Sequence, residues 1–481
     1  MSRMLELENL KLKFPGDERL LFKDLSVHIE KGEKVLLLGP SGCGKSTLLQ
    51  VLSGLIPQSV VVPMKAEKIQ LPESWGYVFQ DPDSQFCMPY VDEELAFVLE
   101  NLQIPREEMP ERITSLLKAV GLDLADFHTA IQTLSGGMKQ RLAIASVLAL
   151  EPEVLFLDEP TALLDPGGTE EIWETVKRIS DDKTLIIVEH KLDHVLDLVE
   201  RIILFNEHGE IITDGTKDRV LKNYRETMKE QGIWYPGVWE DYLRNRPVKR
   251  TMEPARQTVI ELNNFSGYRK KKCHISVEEA AVRTGEWITI IGENGAGKST
   301  LLHALMQFIK TTGNYEIHGE PIKNGKRITD HLTFVFQNPE FQFVTNSVYE
   351  EIAYGLRLEK LEEPAIQERV LEVLEQFRLG DYQNHHPYHL SMGQKRRLSV
   401  AASIVQGQPI LLLDEPTFGQ DSKNTFALLE MLEAFQHAGV TILMVTHDRH
   451  IVEHFATRVW TIESGLLVRD EQIQVKEPVH A

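Results

Sequence analysis

GPSGCGKST, from Gly39 to Thr47, follows the apolar run VLLL, and 253 residues further on GENGAGKST, from Gly292 to Thr300, follows ITII. G-x-x-x-x-G-K-S between a strand and a helix is a phosphate-binding loop. Its glycines let the backbone curl until several N–H groups converge on a β-phosphate. The expected nucleotide-binding residues are therefore Gly39, Pro40, Ser41, Gly42, Cys43, Gly44, Lys45, Ser46 and Thr47. Their counterparts are Gly292, Glu293, Asn294, Gly295, Ala296, Gly297, Lys298, Ser299 and Thr300. Lys45 and Lys298 would place a point charge on the β/γ oxygens, and Ser46 and Ser299 would offer a hydroxyl to Mg²⁺.

The repeat extends well beyond these loops. YVFQDPDSQF, with Gln80, recurs as FVFQNPEFQF, with Gln337; LSGGM (Leu134–Met138) recurs as LSMGQ (Leu390–Gln394); VLFLDEPT recurs as ILLLDEPT; and His190 recurs as His447. Five motifs in one order at nearly constant offset indicate a duplicated unit. A chain of 481 residues exceeds what one core usually holds, which agrees. The boundaries read as a first domain over 1–240, a linker over 241–257 containing RNRPVKR and Pro247, and a second domain over 258–481.

Short apolar runs bounded by Gly, Asp or His (VLLL, VLFL, LIIV; ITII, ILLL, ILMV) read as buried parallel strands. Between the Gln and LS motifs the period becomes helical: Ile113, Leu116, Leu117 and Val120 share a face, as do Ile366, Val370, Leu374 and Phe377. The expected fold is α/β: tandem P-loop NTPase domains, each a parallel-sheet ATP core with a helical insertion. Each apolar strand ending in Asp-Glu supplies the remaining chemistry. Asp158 and Asp414 would orient Mg²⁺ through water, and Glu159 and Glu415 would polarise the attacking water.

Composition excludes several alternatives. A formal charge of −20 argues against duplex nucleic acid as the main partner. Three scattered cysteines make neither a disulfide framework nor a metal knuckle, and they fit a reducing cytoplasm. The longest apolar stretches, such as LAIASVLAL, are too short to cross a bilayer, and MSRMLELENLKLKF is not a secretory signal.

Taken together, these motifs resemble the ABC ATPases over nearly the whole chain. The resemblance implies an intramolecular head-to-tail pseudo-dimer in which the signature of one half caps the γ-phosphate held by the other. One site would combine Lys45, Asp158, Glu159 and His190 with Ser391, Gly393 and Gln394. The other would combine Lys298, Asp414, Glu415 and His447 with Ser135, Gly136 and Gly137. It further implies that His190 and His447 act beside the catalytic glutamates and that Gln80 and Gln337 reach nucleotide and metal. Phe14 and Tyr268 match the family's adenine-stacking aromatic, with core packing as the competing role. Met138 stands where Gln is usual, so a nucleotide contact is expected to be missing there.

Among tandem members, the residues after the Gln motifs and TFGQD (Thr417–Asp421) resemble energy-coupling factor transporter ATPases. That resemblance implies a peripheral protein at the cytoplasmic face of the membrane, with an integral scaffold subunit, a substrate-binding membrane subunit and no direct contact with the solute. A vitamin or vitamin precursor is the solute class implied. Asp92, Glu93, Glu94, Glu350 and Glu351 match the family's acidic positions that receive scaffold arginines. Two alternatives remain: a fused monosaccharide-importer ATPase, and a soluble ATPase acting on a macromolecular machine. NHHPYH (Asn384–His389) reads as surface loop, and GIWYPGVWEDY (Gly232–Tyr242) as a segment packing on the first domain.

Overall fold

The computed structural model describes residues 3–15, 19–162, 164–244, 246, 257–322 and 328–473. Pro247 and most of the expected linker lie outside them. The chain divides into two compact units, Met1–Val238 with Asp421–Lys423, and Trp239–Gln420 with Asn424–Ala481.

In the first unit the apolar runs become β1 (Lys34–Leu38), β2 (Trp75–Val78), β3 (Val154–Asp158), β4 (Thr184–Val188) and β5 (Arg201–Phe205). With β6 (Ile211–Thr216) they form one sheet in the order β6-β5-β1-β4-β3-β2. All pairs are parallel except β6 with β5. Buried on both faces, β1, β3, β4 and β5 read as continuous apolar runs without alternation. A separate antiparallel sheet, built on Arg3–Leu12 and Phe22–Glu30, shares the same apolar core. The helices that matter for the site are α1 (Lys45–Leu52), α2 (Val91–Asn101), α3 (Met109–Ala119), α4 (Gly136–Leu148) and α5 (Pro166–Ile179). The face predicted for α3 is the buried one, with Ile113, Leu117 and Val120 in the interior.

The second unit repeats this plan. Its strands β7 (Trp287–Ile291), β8 (Leu332–Val335), β9 (Ile410–Asp414), β10 (Thr441–Val445), β11 (Arg458–Glu463) and β12 (Leu466–Gln472) lie in the order β12-β11-β7-β10-β9-β8. Here a parallel bridge of Ser276 to Leu466 joins the antiparallel strands to the same sheet. The helices corresponding to the first unit's are α6 (Lys298–Leu305), α7 (Val348–Leu358), α8 (Glu363–Gln376), α9 (Met392–Ile404) and α10 (Ser422–His437).

One expectation changes. Trp239 and Tyr242, expected to pack on the first domain, lie against Phe426 of the second unit, at ring separations of 4.9 and 4.0 Å. Arg246 joins them, pairing with Glu433 and lying over the Phe455 ring. Tyr235 stays with the first unit, under the Arg225 guanidinium. The aromatic string is thus divided, because Pro236 and Gly237 separate two packing surfaces that composition alone merges.

Gly76 sets how closely α4 approaches the sheet. A Cβ added there would fall 2.1 Å from Val147 Cγ1. We therefore expect Gly76→Ala to cost about 1–3 kcal/mol by overpacking, read as a lower midpoint in urea unfolding. Unchanged stability would mean that α4 can lift off β2 freely.

Candidate functional site

A parallel sheet brings the carboxyl ends of all its strands to one edge, and the motifs sit there. Leu38 ends β1 and the chain turns through Gly39–Gly44 into α1. Gly44 has φ of 101° and Gly297 φ of 109°, a left-handed conformation that L side chains rarely adopt. Among the described residues no side chain caps α1 or α6, so their first N–H groups are left for an anion. Lys45 Nζ is buried and donates to Gly39 O at 2.8 Å and Pro40 O at 2.9 Å. Lys298 Nζ does the same to Gly292 O and Glu293 O, both at 2.9 Å. The ammonium is thus held inside its own loop.

The two strand-end carboxylates differ in environment. Ser46 Oγ donates to Asp158 Oδ1 at 2.7 Å, and Ser299 Oγ to Asp414 Oδ1 at 3.0 Å. Burial pushes both carboxyls up, Asp414 to about 6, with the serine hydrogen bonds partly offsetting it. Glu159 and Glu415 follow with φ of 47° and 46°, uncommon for residues other than glycine and frequent where function holds the backbone. Their N–H groups still donate to Val188 O (2.9 Å) and Val445 O (3.1 Å), so the ladder ends on the residue that turns.

His190 Nε2 lies 3.1 Å from Glu159 Oε1, and His447 Nε2 lies 3.3 Å from Glu415 Oε1. Burial raises the Glu159 carboxyl, but the His190 imidazole overrides it and leaves the group below its ordinary range. Gln80 Nε2 donates to Glu159 Oε2 at 3.0 Å; among the described residues Gln337 makes no such bond. In each unit the structure therefore brings together the Lys, Ser, Asp, Glu and His that the motifs single out.

The signature residues lie at helix starts. Ser135 and Ser391 cap α4 and α9 through their hydroxyls. Gln394 spends its amide oxygen on Ser391 N at 2.8 Å, closing a capping box that Met138 cannot make. Within the unit, the departure at Met138 thus removes a helix-cap bond. Gly136, Gly137 and Gly393 lie in the first turns of α4 and α9. Phe14 is half-buried against the first core, and Tyr268 is half-buried on the Thr258–Arg269 strand.

Reading the sequence missed three features. Lys139 pairs with Asp83 at 2.7 Å, and Lys395 with Glu340 at 2.6 Å, tying each signature helix to the segment after the Gln motif. Arg396, buried, donates to Phe336 O at 2.7 Å and to Gln337 O; burial lowers its pKa to about 10. The corresponding Gln140 reaches Phe79 O at 3.4 Å. Tyr77 OH donates to Asp158 Oδ2 at 2.8 Å. The identical spacing of Lys139 and Lys395 was visible, but their partners depend on how α4 and α9 pack.

Of the five acids expected to receive scaffold arginines, Glu94 and Glu351 are buried. Glu94 is 2% exposed and accepts from Cys87 N and Met88 N at 2.9 and 2.8 Å. Glu351 is 5% exposed and accepts from Val344 N, Thr345 N and Thr345 Oγ1. Both carboxylates clip the loop before their own helix, since a carboxylate in a first turn can satisfy backbone donors nearby. Asp92 faces His128 at 3.1 Å and Glu350 pairs with Arg357. Glu93 is exposed. No group of three or more His, Cys, Asp or Glu suited to a metal occurs among the described residues, NHHPYH included.

The chain matches the ABC transporter family over residues 22–162 and again over 278–418. It is 37% identical to a Bacillus subtilis protein provisionally named an HMP/thiamine import ATP-binding protein, covering 97% of this chain and 91% of that one. A Methanosarcina mazei protein, provisionally named an ABC transporter ATP-binding protein, is 34% identical over 97% of this chain and 88% of its own length. Among solved structures, an archaeal ribosome recycling factor, aABCE1, aligns with a TM-score of 0.61 at 22% identity, over 95% of this chain and 88% of that one, a likeness of fold.

The raised carboxyl at Asp414 has a measurable consequence. Its pKa is about 6 against 3.8 for the free group, so the folded state binds the proton more tightly. That contribution to stability is complete below pH about 4 and is lost as pH rises through about 6. Ionised Asp414 then costs roughly 3 kcal/mol. We expect Asp414→Asn, without nucleotide, to melt at higher temperature than the parent at pH 8, with about half that free-energy advantage left at pH 5. A gain independent of pH would show that the buried charge is not its source.

Proposed function

The chain belongs to the ABC transporter family of ATP-binding proteins, which hydrolyse ATP, and from that membership we propose that it is the tandem ATPase of an energy-coupling factor importer. The solute is a vitamin or vitamin precursor, carried by separate membrane subunits. The name of the Bacillus subtilis relative supports import of that class, and the stretches Phe79–Pro105, Phe336–Leu356 and Thr417–Asp421 support the energy-coupling factor class. No helix among the described residues is long and apolar enough to cross a membrane.

The observation that carries the catalytic reading is a cluster of Lys, Ser, Asp, Glu and His at one edge of the parallel sheet in each unit. Hard oxygen donors fit Mg²⁺, which keeps much of its hydration. Ser46, Asp158 and Gln80 would hold it in one half, and Ser299, Asp414 and Gln337 in the other; when bound, it neutralises phosphate charge. Lys45 would exchange its two loop carbonyls for phosphate oxygens. Glu159 would exchange the Gln80 amide for the attacking water, while His190 fixes its other oxygen. Ser391 and Gly393 would complete the Lys45 site, and Ser135 and Gly137 the Lys298 site.

Glu159→Gln with Glu415→Gln should reduce steady-state ATP hydrolysis by at least about 100-fold while leaving ATP binding intact. Near-normal hydrolysis by the assembled double variant would reject the assignment.

Docking tests the transport half of the reading. Glu93 and Glu350, whose carboxylates are not spent on the loop, are the acids we assign to scaffold arginines. Glu93→Gln with Glu350→Gln should weaken co-purification with the membrane subunits and reduce uptake, with ATP binding by the isolated chain unchanged. Glu94→Gln with Glu351→Gln should instead lower the stability of the chain itself, by about 1.5–3 kcal/mol for each charged hydrogen-bond acceptor lost. Full complex recovery with the first pair would remove the docking role.

A further inference from the structure

The two halves hold their strand-end aspartates differently. Both oxygens of Asp158 are engaged, Oδ1 by Ser46 and Oδ2 by the Tyr77 phenol at 2.8 Å. Tyr77 is buried in β2 between Phe79 and Phe156, and Gln50 is its other polar neighbour. In the second half the corresponding pair is Phe334 and His303. Phe334 has no hydroxyl and sits in an aromatic cluster, 5.5 Å from His303, 5.6 Å from Phe308 and 4.6 Å from Phe336. Among the described residues only Ser299 donates to Asp414. Arg396 spends its hydrogen bonds on Phe336 O and Gln337 O.

We propose that Tyr77 is a positioning residue for the cation-orienting Asp158, so that the Asp158 site takes up its divalent cation at lower concentration than the Asp414 site. The inference rests on the Mg²⁺ role given to the two aspartates above. A carboxylate whose far oxygen is fixed by a buried donor presents its near oxygen without losing rotamer freedom when the cation arrives. Groups that hold a metal ligand from behind commonly contribute about 10–100-fold to metal affinity. With the aspartate acting through water, the lower end applies. The exchange of Gln50 and Tyr77 for His303 and Phe334 replaces a polar pair by an aromatic one, so each unit fills its own space with or without the hydroxyl.

The test uses the full chain carrying Glu159→Gln and Glu415→Gln, two equivalents of ATP, and Mn²⁺ followed by its EPR signal. Two classes of protein-bound Mn²⁺ are expected. Tyr77→Phe should weaken the tighter class by about tenfold and leave ATP affinity without metal unchanged. Phe334→Tyr should tighten the weaker class. Asp158→Asn serves as the reference and should abolish the tighter class. If Asp158→Asn changes neither class, the metal role of the aspartates fails. If Asp158→Asn abolishes the tighter class while Tyr77→Phe moves it less than about twofold, the role stands and the inference about Tyr77 is overturned.

Discussion

Ser46 donates to Asp158, and Ser299 to Asp414, across 112 and 115 residues of sequence. Each bond joins the first turn of the helix after the phosphate loop to the end of a strand two places away in the sheet. The two elements can meet only because β1, β4 and β3 are parallel and end on one edge. An antiparallel arrangement would send alternate strand ends to opposite sides, and the lysine, the acids and the histidine would be scattered.

That edge concentrates charge in a buried place, and the protein offsets the cost locally. Each lysine is folded onto carbonyls of its own loop, and each aspartate takes a serine hydroxyl. Each glutamate turns aside with positive φ toward a histidine. An ionised carboxyl is costly in such surroundings unless hydrogen-bonded or paired, and burial raises the Asp414 carboxyl despite its serine partner.

Around this edge the halves repeat some contacts and vary others. The Lys139–Asp83 and Lys395–Glu340 pairs recur, as do the buried clips at Glu94 and Glu351. These hold the segment after the Gln motif to the signature helix on one side and to α2 or α7 on the other. The aspartate's far oxygen, the donor to the Gln-motif backbone and the residue three places into the signature helix all differ. Duplication preserved the frame of the site and let its supports diverge.

Most of the frame was legible in the residues. GPSGCGKST and GENGAGKST need a strand before and a helix after, and the short apolar runs bounded by Gly, Asp or His read as buried strands, so the cores and the order of the site residues follow from local pattern. The face of α3 through Ile113, Leu117 and Val120 followed in the same way. Only the tertiary structure decided which acids face outward. Asp92, Glu93 and Glu94 are indistinguishable as a string, yet the helix turns Glu94 inward onto two backbone N–H groups and leaves Glu93 exposed. It also decided that Tyr77 meets Asp158, because that bond crosses from β2 to β3, and that Trp239 leaves Tyr235 for the second unit. Periodicity encodes which face of an element is apolar; which polar atom lies across a strand or a helix depends on register and packing, and residues far apart in sequence supply both.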